Sequence, residues 1–187
     1  GSEMCIRDRC EAFGNVPIVD RFDVPEGFLP ETSSREEVFA FIENSIKNNV
    51  DKLSDDTKTY YGRFNKWNAK MLLARLYLNA ESWIGKNMYT ECMALCTEIM
   101  NSNKYALEND YSAPFYAQNE GSQEIIFAYP ADEVKTGSTI YMALQKTLHP
   151  SNVKTFNLQT WLDNGVCAVP TFIAVSYTHL RAHETLA

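Results

Sequence analysis

A mainly α chain, built of helical hairpins with long irregular loops and little β, follows from three observations. Between Asn65 and Met100 two apolar patterns of helical period are divided by Trp83-Ile84-Gly85-Lys86. Ser33-Ser34-Arg35-Glu36-Glu37 opens a third helix, because either serine has a glutamate three residues on, the pattern of a capping box. From Ala131 to Pro170 no period is sustained, and Pro150, Asn164-Gly165 and Pro170 punctuate the stretch.

The central hairpin carries most of this reading. In its first helix Trp67, Met71, Ala74 and Leu78 form one stripe, and Ala69, Leu73, Leu76 and Ala80 a second. A helix apolar over most of its circumference must be covered on more than one side. Met88, Cys92, Leu95, Cys96 and Ile99 form the stripe of the second helix, with Glu91, Thr97 and Glu98 off it. A short connection makes the two antiparallel neighbours. The pair is about as long as a tetratricopeptide unit, roughly 34 residues. One hairpin cannot bury its own faces, so further helices must flank it.

Upstream, Gly14-Asn15-Val16-Pro17-Ile18-Val19 reads as a turn entering an extended segment, and Asp20 to Thr32 as irregular. The helix opened at Ser33-Ser34 lays Val38, Ile42, Ile46, Val50 and Leu53 on one face, widened by Phe39 and Phe41. Downstream, Pro114 suits the first turn of a short helix, with Ser112 as its cap. Glu124 to Tyr129, stopped by Pro130, is the best strand candidate, and Ile140 to Leu148 a possible short helix.

The ends read differently from the middle. Residues 1–9, GSEMCIRDR, resemble a translation of the adapter and transposon-end DNA attached in sequencing-library preparation. Val175 to Thr185, VSYTHLRAHET, resembles the complementary strand in another frame. The expected organisation is therefore 1–9 adapter-derived, 10–174 a partial helical domain and 175–187 adapter-derived, with the middle an internal piece of a longer gene. Both ends are expected to pack poorly against the domain.

The net charge is −7, and the charges within the two ends cancel, so the acidity belongs to the middle. An acidic chain without a basic stripe argues against nucleic acid as a partner. No apolar run approaches the roughly 18 residues of a spanning helix. Cys10, Cys92, Cys96 and Cys167 show no metal-ligand or redox spacing. His179 and His183 have ligand spacing but lie in the adapter-like tail. No metal and no cofactor is expected.

Catalytic signals are poor. Asp55-Asp56 are adjacent, Asp163 has no evident partner, and a glycosidase needs two carboxylates set across its substrate. His149 has no nucleophile in a recognisable frame. The chain reads as a binding protein and not an enzyme.

Several segments carry a family likeness in order and spacing. They are Gly14 to Val19, Ser34-Arg35-Glu36-Glu37-Val38, and Lys66 to Ala80 with its Ala-Lys-Met-Leu-Leu-Ala-Arg-Leu-Tyr-Leu-Asn-Ala run. Lys104-Tyr105-Ala106-Leu107, Asp110-Tyr111 with Phe115, and Asn119 through Phe127 continue it. Together, across about Phe13 to Ile173, they resemble the SusD/RagB family. The resemblance implies an outer-membrane lipoprotein of Bacteroidetes-type bacteria, exposed at the cell surface with its lipid anchor upstream of this segment. It implies capture of oligosaccharide or polysaccharide and delivery to a SusC-like TonB-dependent transporter. It also implies a scaffold of tetratricopeptide-like pairs with the glycan site in irregular loops.

Sugar rings are held by aromatic faces and by amide, carboxylate and guanidinium groups. Trp67 and Trp83 flank the hairpin and read as packing residues. Trp161 lies in Asn157-Leu158-Gln159-Thr160-Trp161-Leu162-Asp163-Asn164, which is irregular and rich in hydrogen-bonding side chains. Tyr141 follows Thr136-Gly137-Ser138-Thr139 in a similar setting. The expected glycan-binding residues are Trp161, Tyr141, Asn157, Gln159 and Asp163, although both rings would also suit a core. The alternative function is a helical-repeat module that binds a protein and no sugar.

Overall fold

The computed structural model describes residues 2–21, 23–59, 62–116, 118–130, 146–159, 161–165, 169–171 and 173–175. The chain forms two compact units, Gly1–Pro130 and Ala131–Ala187. It is mainly α, and among the described residues the β structure is one isolated antiparallel bridge, Val16 to Ser33.

The first unit holds helices α1 (Ser2–Phe13), α2 (Arg35–Asn49), α3 (Lys66–Leu78), α4 (Ala80–Ile84) and α5 (Tyr89–Asn101). α2 begins where its capping box predicts. Ser34 Oγ accepts from the Glu37 N–H at 3.3 Å, and Glu37 Oε2 accepts from the Ser34 N–H at 2.7 Å. Both orphan donors at the helix start are thereby satisfied. α3 has a cap of the same kind made by amides. Asn65 Oδ1 accepts from the Trp67 and Asn68 N–H groups, and Asn68 Oδ1 accepts from the Asn65 N–H at 2.7 Å.

α3 is the axis of the core and packs chiefly on α5. Trp67, Ala69, Leu72, Leu73, Ala74, Leu76 and Tyr77 are all buried, so the helix is enclosed on more than one side as its pattern requires. Val38, Phe39, Ile42 and Ile46 of α2 cover one flank, and Cys92 with Ile99 of α5 the other. The enclosure extends to a charge. Lys70 is only 8% exposed, its ammonium pairs with Glu98 of α5, and it lies 5.3 Å from the Trp67 ring centroid. Burying a cation is costly without such partners.

Leu78 departs from the expected stripe, being 56% exposed. α3 ends there, the chain turns at Asn79, and Ala80, fully buried, enters the core in its place. The connection is more structured than its sequence suggests. α4 occupies Ala80–Ile84, and Gly85, at φ 67°, closes it in the left-handed region that favours glycine. Gly62 is constrained twice over. Its φ is 78°, and the Pro130 ring stands where a Cβ would lie.

Two expectations fail in this unit. Residues 1–9 do not pack poorly: most of α1 is built from them, Ile6 is 2% exposed, and α1 packs on α2. Ile6 and Cys10, four residues apart, share one buried face of the helix. Glu124 to Tyr129 forms no strand. It runs without a ladder, and the Ile126 carbonyl is taken by the Asn68 side chain of α3. Phe127 packs edge-on between Phe64 and Tyr129, at centroid distances of 5.5 and 5.1 Å.

In the second unit the described structure is short. α6 (Asn152–Thr155) follows a turn in which His149 Nδ1 accepts from the Ser151 N–H at 3.1 Å. The Asn164 and Gly165 N–H groups donate to the Leu148 and Lys146 carbonyls, at 3.1 and 2.6 Å.

Candidate functional site

The second unit gathers part of the expected glycan site. Pairing of Asn164 and Gly165 with Leu148 and Lys146 turns the intervening chain back on itself. Leu162 is buried at 6% exposure and anchors the segment, leaving its neighbours Trp161 and Asp163 outward. Trp161 is 59% exposed. The Lys146 ammonium sits 5.7 Å from the indole centroid and is ion-paired with Asp163. One cation thus ties the ring and the carboxylate together.

Asn157 is exposed and left-handed at φ 49°, and Gln159 is exposed. Neither has a side-chain hydrogen bond to the Lys146, Trp161 and Asp163 group among the described residues. Tyr141 lies outside the described residues. Lys146 was not expected. Its spacing of 15 from Trp161 has no period to betray it, and only the turn brings the two together.

The first unit carries two further surfaces. A cleft of about 970 Å³ lies between the 55–65 segment, residues 103–105 and the 120–128 segment. Asp55, Asp56 and Glu120 face it along with Lys58, Arg63 and Lys104. Lys104 lies 3.6 Å from Asp55. The Asp56 carboxyl is lowered to about 2 by the Thr59 hydroxyl and by the Lys58 and Thr59 N–H groups that donate to it. It serves the turn, and nothing holds its proton ready for acid catalysis.

The other surface is the Ala106–Gln123 loop. A 3-10 turn at Ala113–Phe115 with proline in its first turn appears as predicted, but Ser112 makes no side-chain cap. Its hydroxyl is not needed, because Asp110 Oδ1 accepts from the Ser112 N–H at 2.9 Å and organises the turn. Tyr111, Phe115 and Tyr116 are 84%, 74% and 56% exposed.

No family model matches the chain. It is 29% identical over 139 residues to the starch-binding protein SusD of Bacteroides thetaiotaomicron, covering 71% of this chain and 24% of that protein. The chain thus spans about a quarter of that relative's length. Among solved structures, a SusD superfamily protein of Bacteroides vulgatus matches with a TM-score of 0.57 and 22% identity, over 72% of this chain and 32% of its own. A SusD-like carbohydrate-binding protein of Bacteroides fragilis matches at 0.56 and 18%, over 67% and 24%. Surface glycan-binding protein A of Bacteroides uniformis matches at 0.54 and 20%, over 67% and 28%. These structural likenesses establish the fold. In sequence and in fold the chain is similar to SusD-like proteins of Bacteroides.

Proposed function

We propose that this chain is part of a protein that captures glycans at the bacterial outer-membrane surface and passes them to a SusC-like TonB-dependent transporter. The relatives' names, starch-binding and surface glycan-binding, support the sugar and the surface. The transporter and the lipid anchor rest on the family likeness alone. The observation in this molecule that carries the reading is the Trp161 indole, held in the open by a buried neighbour and braced by Lys146 and Asp163. An exposed indole offers a broad apolar face to a sugar ring, and the adjacent ammonium and carboxylate can bond its hydroxyls. Asn157 and Gln159 supply further amides on the same segment.

The role is binding without catalysis. Screening the 187-residue chain on a neutral-glycan array tests the sugar. Binding to a class of oligosaccharide is expected, and a blank array alongside protein capture would favour a helical-repeat interaction module. Co-purification of the longer native protein with a TonB-dependent transporter from outer membranes tests delivery. Failure of the two to co-purify contradicts that part.

We also propose that residues 1–9 and 175–187 are translated adapter and not native sequence, on the match of both ends to one synthetic element. Burial of Ile6 concerns packing and leaves origin to the DNA. Genomic sequence read without adapter ligation should lack these codons, and finding them there would sink the proposal.

A further inference from the structure

Exposed aromatic rings are costly to leave in water, so a loop that holds three of them outward in fixed geometry calls for an explanation. The Ala106–Gln123 loop is tied at its neck. The Ala106 N–H donates to the Gln123 carbonyl at 3.2 Å. Glu108 Oε1 accepts from the Ser122 hydroxyl and the Gln123 N–H, both at 2.8 Å, while the Glu108 N–H donates to Glu124 Oε2 at 3.1 Å.

The tip is equally fixed. The Ala113, Phe115 and Tyr116 N–H groups donate to the Asp110, Ser112 and Ala113 carbonyls, and Asn119 Nδ2 donates to the Pro114 carbonyl at 2.6 Å. On this frame the Tyr111 and Phe115 rings stand 5.8 Å apart at 47°, and Tyr116 donates its hydroxyl to Asp110 Oδ2 at 2.7 Å. Hydrogen bonds from Tyr116 and from the Ser112 N–H hold the Asp110 carboxyl below its usual range, so it is ionised at neutral pH.

We propose that Asp110, Tyr111, Phe115 and Tyr116 form a second carbohydrate-binding surface, which takes a neutral sugar ring against the Tyr111–Phe115 pair. The inference rests on the glycan-capture reading but uses a different unit from Trp161. The carboxylate decides the class of ligand. It has about four acceptor sites. Ser112 and Tyr116 occupy part of that capacity, and because Asp110 is exposed the rest is open to ligand hydroxyls. An apolar protein segment laid on the same rings would take that charge out of water and offer no hydroxyl in place of the lost hydration. An anionic sugar would meet like charge.

The test is titration calorimetry of the 187-residue chain with maltohexaose, xylohexaose and hexagalacturonate. Wild type, Tyr111→Ala, Phe115→Ala and Trp161→Ala are compared, each with a thermal melt. The inference expects a neutral probe to bind more tightly than hexagalacturonate. It also expects Tyr111→Ala and Phe115→Ala to weaken binding about five-fold or more, the scale of an interface anchor, with melts unchanged. Unchanged affinity in both variants, with binding lost in Trp161→Ala, overturns the inference and leaves the glycan reading standing. A lowered melting midpoint in both variants shows buried rings and overturns it too. Silence of the wild type toward all three probes removes the reading and the inference together. Self-association that Phe115→Ala abolishes, in place of sugar binding, assigns the patch to a second copy and also overturns the proposal.

Discussion

Trp67 and Trp161 are the same residue type with opposite fates, 8% and 59% exposed. Tyr77 and Tyr111 repeat the contrast at 3% and 84%. In α3, position along a 3.6-residue period assigns each ring to a face, and the neighbouring helices close over it. Tyr77 shows the result, with its ring 6.4 Å from Phe39 and its hydroxyl donating to Glu43 at 2.8 Å. In the Asp110–Tyr116 and Trp161 segments no period assigns faces. There the side chains follow local hydrogen bonds and single anchors such as Leu162. In these two pairs the helix puts its aromatic to structural use, and the loop holds its aromatic outward.

Breaking the helical side of this contrast gives the largest effects. Ala74 is 2% exposed, so Ala74→Glu places a charge in the core without a partner. A loss above about 4 kcal/mol in urea unfolding is expected, at the exceptional end for a single substitution. Ile6 comes next. Ile6→Ala should lower stability by about 2–5 kcal/mol, and deletion of residues 1–9 should do at least as much. A melt unchanged by either would show that α1 does not pack as described. Glu98→Ala leaves the buried Lys70 ammonium without its carboxylate and should cost about 1–3 kcal/mol. Glu98→Gln, which keeps an acceptor, should recover part of that loss. Leu78→Ala, by contrast, should change stability by less than about 0.5 kcal/mol, because the side chain is on the surface.

The difference between Ala74 and Leu78 marks how far the sequence could be read. Both lie on one stripe of the pattern, and the period alone gives them equal standing. Burial of Ala74 was legible because apolar residues cover most of the circumference of its helix. Exposure of Leu78 was not, because it depends on where α3 stops and on Ala80 taking its place. The capping box at Ser34 and Glu37 was legible for a local reason, since its partners are three residues apart. The Asn65–Asn68 cap was missed, although its spacing is the same, because Asn stands where Ser or Thr is expected and the shorter Asn where Glu or Gln is expected. Lys146 under Trp161 and the neck of the Ala106–Gln123 loop join residues far apart in sequence with no repeating pattern. Such pairs are visible only once the chain is folded.

The smallest predicted effect sharpens the loop side. The Tyr116 hydroxyl stabilises the ionised form of Asp110, so Tyr116→Phe should raise that pKa toward the ordinary aspartate value, measured by carboxyl NMR titration. The sign for folding follows. A depressed carboxyl contributes stability that is present above its unfolded pKa and lost as pH falls through the folded one. Tyr116→Phe should weaken that acid dependence. An unmoved Asp110 titration would contradict the hydrogen bond.

The claim that exposed loop aromatics serve binding while helical ones serve the core is tested most directly at Trp161. Calorimetric titration of wild type and Trp161→Ala with a glycan that binds the chain should be paired with urea unfolding of both. The account predicts binding weakened by about 1–3 kcal/mol, roughly five- to hundred-fold in Kd, with the unfolding midpoint unchanged. Unchanged affinity with a large loss of stability would make Trp161 a packing residue and contradict it.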